Sequence, residues 1–161
     1  MVIPDHSLTH LLTYSRSGSG QSGGVFPGKS IMAESQFKLD EFELYQAARQ
    51  FRKKVYKLIL ELPAEEKYCQ DPQMRRAAAS VTNNIAEGHG RWHYLENSHF
   101  CQIARGSVDE LIDDINICLD EGYGDAGEND RLKTEAYALI GRINSYILYL
   151  KKTKQGAKSG E

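Results

Sequence analysis

The chain has 161 residues, a formal net charge of −2 and 40% hydrophobic side chains, which suits a single domain with a continuous core. That charge excludes a global electrostatic pull on nucleic acid, and no apolar run approaches the roughly 20 residues needed to span a bilayer. Three widely spaced cysteines, Cys69, Cys101 and Cys118, with no Cys-x-x-Cys pair, imply neither a disulfide framework nor a zinc ribbon, so reduced thiols in a cytoplasmic protein are expected.

In chain order, a short apolar stretch at residues 8–12 follows Asp5 and His6 with no lysine or arginine before it, a poor signal peptide. Residues 15–24 read SRSGSGQSGG, a linker composition without material for a packed core. Residues 1–36 are therefore expected to be a disordered, low-complexity extension, and one reading of the shift is that translation starts at Met32.

From Phe37 the pattern turns helical. The spacing of Leu44, Ala48, Phe51, Val55, Leu58, Ile59 and Leu62 predicts a first helix over residues 40–62, capped by Asp40 and ended by Pro63. A second is expected to start with Asp71 as N-cap and Pro72 at the first helical position. Its apolar stripe is Met74, Ala77, Ala78, Val81 and Ile85, and Gly88 is its expected left-handed cap. A third covers residues 94–121 on the period of Phe100, Ile103, Ala104, Val108, Leu111, Ile115, Cys118 and Leu119, before Gly122 and Gly124. A fourth, over residues 129–152, carries Leu132, Ala136, Leu139, Ile143, Ile147 and Leu150. Short connections between four amphipathic helices imply an all-α, antiparallel up-down four-helix bundle over residues 37–152, followed by a flexible basic tail at 153–161.

The helix faces suggest how the bundle could be used. On the first helix Phe42, Tyr45, Tyr56 and Leu60 lie together away from the core stripe, with Arg52 among them. A monomeric bundle helix needs one apolar stripe, so this second one is expected to be an interface between copies of the chain. Arg49, Lys53 and Lys57 form a basic ridge on the same helix. On the third helix Asp109, Glu110, Asp113 and Asp114 form like-charge i,i+4 pairs, either a solvated acidic face or a demand for a cation from the first helix of this chain or another. On the second, Arg76, Ser80, Asn83, Asn84 and Glu87 make a polar ladder read as a structural network between helices, with a ligand site as the lesser alternative.

Catalytic and metal constellations are missing from this reading. Glu96 and His99 match one Glu-x-x-His element, but di-iron chemistry needs two such elements and further glutamates. His89 and His93 alone make an incomplete metal site beside glycines. Arg91 and Trp92 form the chemically densest loop, where a tryptophan could stack on a base or close over the bundle end. Cys101 and Cys118 sit near apolar positions and are expected to be buried and inert. No enzyme activity, metal, cofactor, membrane contact or small-molecule substrate is expected.

The segments LPAEEKY, QMRRAAASV, NNIAEGHGR, IARGS and ELID, with Phe100 between the third and fourth, closely resemble the 23S rRNA intervening-sequence protein family, also called the four-helix bundle or S23 family. The resemblance covers about residues 37–152. It implies four-helix bundles that assemble as homopentamers, have no enzymatic activity and are in part encoded within ribosomal RNA genes. A related branch, the accessory variability protein of diversity-generating retroelements, is implied to bind nucleic acid and a reverse transcriptase. The resemblance places an apolar residue where Gln70 stands and a serine where Pro72 stands, and the accessory branch is basic where this bundle is acidic. The expected function is a non-catalytic homo-oligomeric bundle with an RNA-associated or scaffold role. The alternative is an adaptor for a nucleic-acid enzyme that does not touch nucleic acid itself. Arg49, Lys53, Lys57, Arg91 and Trp92 are the candidate nucleic-acid contacts.

Overall fold

The computed structural model describes residues 38–91 and 93–158, with side chains as far as Thr153. The expected N-terminal extension lies outside the described residues. Among those described are four α-helices, α1 (Glu43–Ile59), α2 (Gln70–His89), α3 (Tyr94–Glu121) and α4 (Ala126–Lys158), and two 3-10 segments, Leu39–Glu41 and Ala64–Tyr68. No described residue lies in a strand, and no described helix is long and apolar enough to cross a membrane.

Side-chain contacts fix the up-down order. Phe42, just before α1, meets His89 at the end of α2 and Tyr146 late in α4. At the other end Gln70 of α2 bonds Asp114 of α3, and Lys54 of α1 bonds Glu135 of α4. α1 packs on α2 and α4, and α3 packs on the same two, so α1 and α3 occupy diagonal corners. The core between them comprises Leu44, Ala48, Phe51, Val55, Met74, Val81, Ile85, Val108, Leu111, Ile115, Ile143 and their buried neighbours. Burying a side chain of Leu, Ile, Val, Phe or Met stabilises by roughly 1.5–3 kcal/mol, so this seam dominates the fold. α2 and α3 make the broadest contact, where Ala77, Ala78 and Ala104 let the helices approach.

α3 has the bounds its sequence pattern predicts. Gly122 takes φ 71° and Gly124 φ 72°, the left-handed region that glycine enters without a Cβ clash. The Tyr123 N–H then bonds the Cys118 carbonyl at 2.8 Å. Asp125 caps α4 by accepting the Glu128 N–H at 2.8 Å.

The other ends depart from expectation. Asp40 does not cap α1: it lies in a 3-10 segment and accepts from Arg49 at 3.0 Å. Phe42 takes the cap position with extended backbone, its ring turned into the contacts with His89 and Tyr146. α1 stops at Ile59 because the chain already turns there toward Pro63. α2 begins one residue before Asp71, which pairs with Arg75 instead of capping. Pro72 is harmless inside the first turn, where backbone N–H groups have no acceptor within the helix. α4 runs to Lys158, past the 152 end predicted, so the expected tail is helical to that residue. Lysines are good helix formers and suit the negative end of the dipole.

Gly88 is no left-handed cap either. It is buried inside α2, and φ is positive only at Gly122 and Gly124 among the described residues. A Cβ at Gly88 would stand 2.8 Å from Asn97 Oδ1, 3.1 Å from Phe100 Cβ and 3.2 Å from the Asn97 carbonyl oxygen. Glycine is required there so that α3 can cross close to α2.

Candidate nucleic-acid interface

The bundle end where α1 starts and α4 nears its close gathers the aromatic rings. Phe42 lies 5.2 Å from His89 and 5.0 Å from Tyr146 between ring centroids, and Tyr146 stacks on Tyr149 at 6.1 Å. Asn97, buried under them, donates its amide to the Tyr146 hydroxyl at 3.1 Å and accepts from the Cys101 thiol at 3.5 Å. Burial pushes the Tyr146 hydroxyl above its ordinary pKa, with the Asn97 bond working against that shift. Tyr94, Leu95, Leu148 and Tyr149 remain exposed around this end.

Cations stand beside the rings. The Arg91 guanidinium lies 5.3 Å from the Phe100 ring centroid and pairs with Glu87 one turn back on α2. Lys151 and Lys152 are exposed on α4. Asp40 here is matched by Arg49, while Glu41, Glu43 and Glu96 are exposed carboxylates with no ion pair among the described residues. Trp92 lies outside the described residues.

The basic ridge is separate from this loop. Lys53 and Lys57 are exposed on the outward face of α1, while Arg49 lies over the Tyr45 ring and holds Asp40. The acidic face of α3 is diagonal to α1, so the first helix of the same chain does not neutralise it. Asp109, Glu110 and Asp113 are exposed without ion pairs among the described residues.

The five residues expected at an oligomer interface do not form one free stripe. Arg52 donates to Thr82 Oγ1 of α2 at 2.7 Å. Tyr56 lies under Arg75 of α2, and Phe42, Tyr45 and Tyr56 pack in part against their own core. Of the five only Leu60, 78% exposed, projects fully to solvent. The polar ladder of α2 also divides. Ser80 bonds Ser107 of α3 at 2.8 Å, and Asn84 donates to the Ser80 carbonyl and hydroxyl, so these two join the helices. Glu87 serves Arg91, while Arg76 and Asn83 face solvent.

Asp114 is not part of the acidic face. It is 0% exposed and accepts from Gln70 Nε2 at 2.7 Å and Gln73 Nε2 at 3.1 Å, both on the same oxygen. Its other oxygen, Oδ2, is buried with no hydrogen-bond partner. Burial raises its pKa to about 6, helped by Glu110 and Asp113 and opposed by the two amides. The signal was present: Asp114 falls between Leu111 and Cys118 on the apolar period, and Gln70 stands where the resemblance places an apolar residue. Burial likewise lifts the Cys101 and Cys118 thiols to about 11, which makes them poor nucleophiles.

Clefts of about 260 and 310 Å³ open along the thinner α1–α4 seam. Lys54, Lys57 and Arg131 alternate with Glu61, Glu128 and Glu135 in the first, a self-compensating lining. No group of three metal-ligating side chains occurs among the described residues.

A family model described as 23S rRNA-intervening sequence protein matches residues 40–145. Among solved structures, the chain is similar to a protein of unknown function from the S23 ribosomal protein family of Bacteroides thetaiotaomicron. That similarity has a TM-score of 0.60 at 14% identity and covers 65% of this chain and 97% of the other. At that identity the likeness is one of fold. No curated protein matches the chain.

Proposed function

The chain belongs to the 23S rRNA-intervening sequence protein family, and from that premise we propose that it is a non-catalytic helical scaffold that contacts RNA through the aromatic end of its bundle and assembles with copies of itself. The observation that carries the RNA contact is the division of charge along the bundle. Arg91, Lys151 and Lys152 stand with exposed Tyr94 and Tyr149 at one end. Glu61, Glu65, Asp113, Asp120, Glu121, Asp125 and Glu128 collect toward the other. Exposed aromatic rings beside arginine and lysine suit single-stranded RNA: bases stack on the rings and phosphates meet the cations.

Binding of a single-stranded RNA, titrated against salt, tests this. The slope of log affinity against log salt is about −0.7 per neutralised phosphate on a single strand. Replacing Arg91, Lys151 and Lys152 together by alanine should then flatten it by about 2. No binding at low salt, or an unchanged slope in the variant, overturns the RNA contact. The homopentamer that the resemblance implies is tested by light scattering, where a monomer at micromolar concentration overturns assembly.

The adaptor reading has its own support in Leu95 and Leu148, 58% exposed each, aliphatic side chains with little to offer a nucleotide. A nucleic-acid enzyme such as a reverse transcriptase would dock over them. Capture of such an enzyme by a chain that fails to bind RNA decides for this reading.

A further inference from the structure

The acidic end of the bundle is tied by one chain of polar contacts. Asn129, 2% exposed at the start of α4, donates to the Tyr123 carbonyl at 2.8 Å. The Tyr123 hydroxyl donates to Glu66 Oε1 at 3.2 Å. Glu66 Oε2 accepts the Gln70 N–H at 3.3 Å, and the Gln70 side chain donates to Asp114 at 2.7 Å. Gln73 adds a second amide to the same Asp114 oxygen. The chain thus links the Ala64–Tyr68 segment, the first turn of α2, the last turns of α3 and the start of α4.

Asp114 is its dry terminus. A carboxylate there keeps charge in a seam where one oxygen has no donor, a costly arrangement, whereas a neutral carboxyl carries none. The groups around it do not compensate. Glu110 and Asp113 on α3 are acidic and exposed. α2 offers the neutral amides of Gln70 and Gln73, and its nearby Asp71 and Arg75 pair with each other. The Ala64–Tyr68 segment brings Glu66, again acidic, and Cys118 one turn along α3 is a buried thiol. Among the described residues, no charged group of α1 or α4 bonds it. We propose that Asp114 is a proton-operated latch: with its carboxyl neutral it holds the Ala64–Tyr68 segment and the first turn of α2 on α3, and on ionising it loosens that end of the bundle.

Carbon-13 NMR of the full chain between pH 4 and 8 tests the latch directly. The Asp114 carboxyl should titrate with a midpoint near 6, and the side-chain amide signals of Gln70 and Gln73 should move with the same midpoint. A midpoint in the ordinary carboxylate range, or glutamine signals that ignore the titration, overturns the proposal. Cleavage by trypsin after Lys67 supplies a second reading. Wild type should be cut several-fold faster than Asp114→Asn at pH 7.5 and at the same rate at pH 5. Comparing the two at each pH removes the protease's own pH dependence, and a ratio that does not change with pH also overturns it. If Asp114→Asn does not fold, the wild-type titration decides alone.

Discussion

Where Asn97 meets Tyr146, the buried polar atoms are neutral and partnered, and the charged groups stand outside them in water. At the far end Asp114 brings a carboxyl into the α2–α3 seam, and one of its oxygens finds no donor. Both ends close the same two helices on each other. The first does so by shape, with Gly88 admitting Asn97, and the second by two amides on one acid. A bundle of uniform architecture can thus close one end by backbone proximity and the other on a dry carboxyl. A close backbone crossing does not titrate; a dry carboxyl does.

The largest expected effect breaks this comparison at the acidic end. Asp114 has its folded-state pKa raised from 3.8 to about 6. The neutral form is thus favoured by folding. Its stabilisation is fully present below pH 3.8 and is lost as pH rises through about 6. Relative to Asp114→Asn, wild type should lose up to about 3 kcal/mol between pH 4 and 7.5, read as unfolding free energies by urea at each pH. A difference that stays flat shows that Asp114 is solvated and that the two ends are alike.

The next effect belongs to the aromatic end. Gly88→Ala puts a methyl group against the Asn97 carbonyl oxygen and Phe100 Cβ, which cannot rotate away. The gain of roughly 1 kcal/mol from replacing a helical glycine is reversed, and a net loss of about 2 kcal/mol is expected. Gly106 in α3 is the control, because a Cβ there meets nothing within 4 Å. Gly106→Ala should stabilise by about 0.5–1 kcal/mol. Opposite signs for two helical glycines in one denaturation series would show that Gly88 is kept for the crossing and not for its backbone.

Much of this was legible in the chain. The apolar stripes and the two glycines after Glu121 defined the four helices, because period and left-handed turns are local properties. The dry inertness of Cys101 and Cys118 followed from their place on those stripes. Side-chain partners across helices were less accessible. Phe42 and Tyr56 stood apart from the core stripe on a wheel because a single helix does not reveal which groups of α2 and α4 stand beside them, and both rings stay partly exposed. Gly88 looked like a terminator because its reason is a neighbour, Asn97, brought in by the turn. Asp114 was grouped with acids four residues away, though its own phase lies on the core stripe. A strong prior that carboxylates face water hid what periodicity stated.

The smallest expected effect separates burial from charge within the acidic half itself. Lys54 meets Glu135 at 2.6 Å between α1 and α4, yet their side chains are 52% and 44% exposed. Water already solvates both partners, so ordering two long side chains offsets most of the attraction. A double-mutant cycle with Lys54→Ala and Glu135→Ala should give a coupling of about 0.2–0.5 kcal/mol, shrinking further in high salt. Asp114 has no cation partner among the described residues and is expected to matter several times more. If the exposed pair proved the stronger of the two, the acidic half would be held by its ion pairs, and the pH response assigned to a dry carboxyl would have to come from the surface.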